Sequence, residues 1–398
     1  KLKILTMTKA RVIALYLPQY HPIPENDEWW GKGFTEWTNV GKAKPLFRGH
    51  YQPRVPADLG YYDLRLPEVR EAQAELAREA GVEAFCYYHY WFGDGKQLLE
   101  RPFNEVLASG KPDFPFCLCW ANHSWTNKTW LKSHTFAENK MLMEQRYLGE
   151  KDYTEHFYSV LPAFKDKRYV TVDGKPMFTV YDTLNFDDLP TFLTTWRRLA
   201  TENGLKGIYF VGMVPSTLSF TLDSSGQRKT AIPNLESSAT IFNYVLGLGF
   251  DAVNSFGKRR GEMLSSNKYL DLFKTGLRRM GLKIGADKYD YAKTVCNFFA
   301  PEDAWENVFP SIFPQWDRTA RIGNVDGIYI NSTPEKFEKH VRKAINVVKN
   351  KQSEHQIIFL KSWNEWAEGN YVEPDIKYGK GYINALCNAI KHGEKSNK

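Results

Sequence analysis

Short apolar runs and amphipathic stretches alternate about eight times along this sequence, with no break in composition and no low-complexity linker between them. The apolar runs are Arg11–Gln19, Ala84–Tyr90, Pro115–Trp120, Lys175–Tyr181, Gly207–Val211, Gly249–Val253, Val308–Phe313 and Ile357–Leu360. Their length suits strands, and near-continuous apolar character is what parallel strands covered on both faces require. Helical patterns fall between them, at Pro67–Ala80, Gln97–Ala108, Lys151–Phe164 and Leu189–Glu202 in the first half. Ser237–Leu246, Lys268–Met280, Tyr289–Phe298, Pro334–Lys349 and Tyr382–Lys391 continue the series. Pro334 and Gly81 stand where a helix starts and stops most readily.

Repeated strand–helix units predict an α/β chain with a parallel sheet. Eight of them suit a (β/α)8 TIM-like barrel, with a doubly wound sheet as the alternative. Location separates the two. Polar and aromatic clusters follow nearly every strand instead of gathering at one switch point. Residues 11–392 are therefore expected to form one barrel with long βα loops, between an N-terminal extension (1–10) and a C-terminal tail (393–398). An irregular passage over Ser216–Pro233 is expected to be an excursion or lid.

Composition excludes several classes. No stretch approaches the roughly 20 apolar residues of a membrane span. The net charge of +7 is modest over 398 residues, and no basic run is interleaved with aromatics, so a nucleic-acid partner is not expected. No HExxH or CxxC pair indicates a metal, and no GxGxxG or GxxxxGK[ST] element indicates a nucleotide cofactor. Neither metal nor cofactor is expected. Cys86, Cys117, Cys119, Cys296 and Cys387 show no disulfide framework. Unpaired thiols favour a cytoplasmic location, whereas a periplasmic or secreted one requires a leader already removed.

Chemistry is expected to concentrate in Ile357–Glu373, where a buried strand runs into Trp363, Asn364, Glu365, Trp366 and Glu368. Carboxylates placed directly after a buried strand are costly for packing alone. At the carboxyl end of a barrel strand they point to catalysis. Two of them flanking a bond can cleave a glycoside. On an extended strand Glu365 and Glu368 would face opposite ways, so a turn after Glu365 is needed for them to share a cavity. Substrate contacts are expected from Gln19, His21, Trp30, Glu36 and Trp37 in the first loop, and from His89 and Trp91 after the second strand. Trp120, Asn122, Trp125, Tyr181, Trp316, Asp317, Asn364 and Trp366 complete the set. Aromatics are abundant at 15% of the chain, and such rings stack on sugar faces as on other flat ligands.

Tyr16-Leu17-Pro18-Gln19-Tyr20-His21-Pro22 and Trp29-Trp30-Gly31-Lys32-Gly33-Phe34-Thr35-Glu36-Trp37 resemble the opening motif of the WbsX-type, glycoside hydrolase family 99-like proteins. Trp120-Ala121-Asn122 and Trp363-Asn364-Glu365-Trp366-Ala367-Glu368-Gly369 match the same pattern, and the resemblance runs from about residue 11 to the end. It implies a (β/α)8 barrel and a retaining, metal-independent glycoside hydrolase acting on an α-linked, mannan-like or bacterial surface polysaccharide. It further implies a substrate-assisted route through a 1,2-anhydro sugar, with Glu365 as base and Glu368 as acid/base. The Trp29–Gly33 block departs from family 99 proper, which bears on sugar specificity more than on chemistry. A glycosyltransferase of O-antigen or lipopolysaccharide assembly and a non-catalytic carbohydrate-binding barrel are the alternatives. Each takes an oligosaccharide or polysaccharide partner.

Overall fold

The structure, a computed structural model, describes residues 10–127, 140–217, 220–222, 228–230, 234–267, 274, 276–277, 280, 282, 285–323 and 327–393. Eight parallel strands form the barrel: β1 (Arg11–Tyr16), β2 (Ala84–His89), β3 (Phe116–Trp120), β4 (Lys175–Val180), β5 (Tyr209–Pro215), β6 (Ala252–Phe256), β7 (Val308–Ile312) and β8 (Ile357–Leu360). Each pairs with its sequence neighbour, and β1 pairs with β8 in the register Arg11↔Ile357 to Ala14↔Leu360, which closes the ring. The alternation therefore resolves as a barrel and not as an open sheet.

The continuous apolar runs are buried on both sides, as parallel strands between a core and a helical layer must be. Ile357, Ile358, Phe359 and Leu360 have no exposed surface. Burying each such side chain is worth about 1.5–3 kcal/mol. Local signals fix several helices. Pro67 and Pro334 occupy first-turn positions, Thr333 accepts from the Lys336 amide, and Gly81 ends its helix at φ 81°.

Boundaries differ where a local cue misleads. The second helix spans Arg101–Ser109 instead of beginning at Gln97, because Leu99 takes φ 59° and interrupts it. β5 continues past Val211 to Pro215. Gly212 is not a strand end. A Cβ there would lie 2.8 Å from Val245 Cγ1 and 2.9 Å from Thr183 Cγ2, so glycine lets the covering layer approach. Asp188 leads its helix without a side-chain cap; its carboxylate accepts from the Tyr153 hydroxyl. Tyr289–Phe298 yields only the short helix Tyr291–Cys296, capped by Asp290.

The expected extension at residues 1–9, most of the helix at Lys268–Met280 and the tail at 394–398 lie outside the described residues. So does most of Ser216–Pro233, within which Phe220–Leu222 pairs antiparallel with Arg228–Thr230. No helix among the described residues is long and apolar enough to cross a membrane.

Candidate active site at the carboxyl end of the barrel

β8 ends at Leu360, and the chain then folds tightly. Asn364-Glu365 pairs antiparallel with Asn370-Tyr371 around a 3₁₀ turn, Trp366–Glu368, closed by Gly369 at φ 55°. A Cβ on Gly369 would sit 2.9 Å from Arg54 Nε and from Asp317 Cβ, so this position excludes a side chain. The turn supplies the reversal that the Glu365-x-x-Glu368 spacing requires. Both carboxylates line one cavity of about 300 Å³ at the carboxyl ends of the strands.

Rings form much of its wall. Tyr88, Tyr90, Trp125, Tyr181, Phe256 and Trp316 surround the carboxylates, with Leu17, Gln19, Ala121 and His123 between them. Trp125 stands edge-on to Tyr90 at 5.2 Å and to Trp29 at 6.1 Å, so the first and third loops brace each other. Flat apolar faces with polar edges suit a sugar ring.

The charges interlock. Arg321 Nη1 donates to Glu368 Oε1 at 2.6 Å, and its Nη2 lies 3.1 Å from Glu36 and 3.5 Å from Glu365. Arg318 Nε lies 3.1 Å from Glu368 Oε1. Lys361, buried beneath the pair, lies 5.1 Å from the Tyr181 ring. Burial and the neighbouring Glu368 push Glu365 up, against Arg321 and Lys361. Burial acts on Glu368 too, but Arg318, Arg321 and Lys361 outweigh it and hold that carboxyl well below the ordinary range. Glu365 also hydrogen-bonds Glu368. Burial thus favours the protonated form of Glu365, and the flanking cations favour the anionic form of Glu368. That is the reverse of the division the family resemblance implies for the reacting complex.

Of the residues expected to touch substrate, Gln19, Trp125, Tyr181 and Trp316 line the cavity beside Glu365 and Glu368. The others stand behind it. Glu36 is fully buried and reaches the site through Arg321. Asn364 clamps the end of β1, accepting from the Leu17 amide at 2.8 Å and donating to the Leu17 carbonyl at 3.0 Å. Trp366 stacks on Tyr371 at 3.7 Å, and Trp37 packs on Trp366 at 5.4 Å while donating to the Tyr62 carbonyl. Asp317 accepts from Gln52 and Thr319, lies 2.8 Å from His50, and its amide donates to the Glu368 carbonyl. It fixes the Trp366–Glu368 turn from behind.

Asn122 bonds Tyr147 and both backbone groups of Asp182, which ties two loops together. Trp120 donates to the Trp91 carbonyl, and Trp91 stacks on His156 at 4.7 Å. His89 contacts His156 at 2.8 Å, and burial pulls it down to about 4. Burial likewise pulls His21 to about 4. Trp30 is half-buried beside Phe34.

Several site residues were not anticipated. Arg318, Arg321, Lys361, Lys258, Tyr88 and Tyr90 all line the cavity. The run Trp316-Asp317-Arg318-Thr319-Ala320-Arg321 directly after β7 was the available signal. Glu373 is a second omission. It accepts from Trp363 at 2.9 Å, Trp366 at 2.7 Å, Tyr62 at 2.9 Å and Gln73 at 2.7 Å. Two of the indoles near the catalytic pair are therefore bound to a buried carboxyl and do not face the cavity.

A family profile described as "Glycosyltransferase WbsX" matches residues 12–386. The uncharacterized protein WxcX of Xanthomonas campestris pv. campestris (strain B100) is 32% identical over 382 residues, 96% of this chain and 50% of its own length. The chain spans about half the length of the curated relatives it matches. Among solved structures, a glycoside hydrolase-like protein superposes with a TM-score of 0.57 at 16% identity, covering 98% of this chain and 96% of its own. The GH99 endo-alpha-mannosidase from Bacteroides thetaiotaomicron, in complex with BIS-TRIS-propane, gives 0.55 at 13% identity, covering 98% and 99%. At those identities the likeness concerns the fold.

Proposed function

Since this chain belongs to the family described as Glycosyltransferase WbsX and has a glycoside-hydrolase-like fold, we propose that it cleaves an α-linked saccharide with retention, through Glu365 and Glu368. The observation that carries this is the pair itself: two buried carboxyls on a single turn facing a ring-walled cavity, one pushed up by burial and the other pulled down by flanking cations. Cleavage of a glycoside needs one group to give a proton and one to accept one.

In this route the proton starts on Glu365, because Arg318 and Arg321 stabilise Glu368 as the anion. A sugar entering between Arg318 and Glu368 weakens that pairing, and the proton crosses the Glu365–Glu368 hydrogen bond to Glu368. Glu365, now a carboxylate, takes the proton of the sugar's 2-hydroxyl as that oxygen closes on the anomeric carbon. The bond to the leaving oxygen breaks, and Glu368 protonates that oxygen. Glu368 then draws a proton from water, whose oxygen attacks the anomeric carbon. The anomeric carbon–O2 bond of the 1,2-anhydro ring breaks as Glu365 returns its proton to O2, which restores the 2-hydroxyl and the starting anomer. Arg321, paired with Glu36, Glu365 and Glu368, keeps charge constant around the exchange.

Incubation with a panel of α-linked oligosaccharides, without any nucleotide sugar, tests this. New reducing ends of retained configuration are expected. The family's description favours a second reading, transfer from an activated donor during surface-polysaccharide assembly. Turnover only when a nucleotide-activated sugar is added would establish transfer and overturn hydrolysis.

A further inference from the structure

A second and larger cavity, about 670 Å³, lies behind the catalytic turn and shares no lining residue with the first. The loop after β7 builds both, with Trp316 and Arg318 lining the catalytic cavity and Gln315 and Asp317 lining the other. Five cationic side chains face the second cavity: Arg48, Arg54, Lys288, Lys336 and Lys377. Among the described residues its one carboxylate, Asp317, is already engaged by His50 and Arg54. Lys288 lies 3.4 Å from the Phe47 ring centroid and Lys377 4.6 Å from that of Tyr51, so rings and not carboxylates hold these ammonium groups.

One buried donor on the same wall lacks an acceptor. Gln315 Nε2 has no hydrogen-bond partner among the described residues, although Gln315 is 3% exposed. A buried donor without a partner is destabilising, and an incoming oxygen removes that cost. The unused Gln315 donor, surplus positive charge and aromatic floors together specify the ligand. It must present anionic oxygen on a body able to lie against rings.

We infer that this cavity binds an acidic sugar residue, one bearing a carboxylate or a phosphate, and that the substrate is an anionic saccharide. The inference rests on the proposed function for the word substrate, and on the cavity alone for the binding site. The probes are an α-linked oligogalacturonate, glucose 1-phosphate and neutral maltohexaose, titrated into the full chain by calorimetry at two salt concentrations. At least one acidic probe should bind on the order of tenfold more tightly than maltohexaose, with affinity falling as salt rises. Lys288→Gln/Lys377→Gln should remove that preference while leaving the melting temperature unchanged, since both side chains are exposed.

Binding of oligogalacturonate alone identifies a carboxylate, and binding of glucose 1-phosphate a phosphate. Equal affinity for acidic and neutral probes, or an acidic preference that the double variant retains, would overturn the site. Loss of all hydrolysis with acidic binding intact would sink the enzymatic reading and spare this one; hydrolysis of neutral chains without acidic preference would do the reverse.

Discussion

In the proposed mechanism Glu365 and Glu368 share one proton, and its position decides what each substitution does. With a natural sugar leaving group, Glu365→Gln and Glu368→Gln should each lower kcat/KM by about 10²–10⁴-fold, the usual worth of a general base or acid. A dinitrophenyl α-glycoside separates them, because its leaving group needs no proton. Glu368→Gln should recover the first step with that substrate, and Glu365→Gln should not. The opposite pattern would exchange the two roles. The pH profile follows from the same pair. Burial beside Glu368 raises Glu365 to about 7, while the arginines keep Glu368 far lower. The active form keeps the shared proton, so kcat/KM should be level on the acid side and fall above about pH 7. A rate that climbs through neutrality would contradict it.

At the scale of the element, the turn after β8 is held by a carboxyl that does no chemistry. Glu373 accepts four hydrogen bonds, yet burial outweighs them and raises it from 4.5 to about 7. The sign of its contribution follows. Below 4.5 Glu373 is protonated folded and unfolded alike; as pH rises the unfolded chain releases its proton first, so wild-type stability falls until about 7. Glutamine cannot titrate. Glu373→Gln should therefore be less stable than wild type at pH 5, where its amide protons find only donors, and the gap should shrink by about 2.5 kcal/mol by pH 8. Denaturant unfolding at the two pH values measures it, and a gap that widens would refute the assignment. This turn also marks the limit of what the sequence discloses. The strand Ile357–Leu360 and the carboxylate spacing were legible because apolar run and polar tip are adjacent. The fate of Trp363 and Trp366 was not, since an indole binding a buried carboxyl and one facing a sugar look alike in sequence. Arg318 and Arg321 gave no local sign of their partner, which lies 47 residues beyond Arg321.

Across the whole molecule, the alternating pattern specified the barrel because eight buried strands leave few other ways to cover every apolar face. It did not specify which loop residues point inward. A parallel barrel has two unlike ends, chemistry at the carboxyl end and support at the amino end. Arg11 is the amino-end counterpart of Arg321. It pairs with Glu83 at 2.7 Å beside β2 and donates to the carbonyls of Thr171 and Glu354, so β1 is tied to the approaches of β4 and β8. The pair is partly exposed, at 16% and 33%, so Arg11→Ala should cost only about 1–2 kcal/mol in denaturant unfolding. Its kcat/KM should stay within twofold of wild type, because no cavity residue contacts Arg11. Arg321→Met should behave in the opposite sense, abolishing turnover by freeing three carboxylates to repel one another around the reacting bond. If Arg11→Ala lost activity at unchanged stability, the two ends would not be separable, and placing the chemistry at the carboxyl end alone would be untenable.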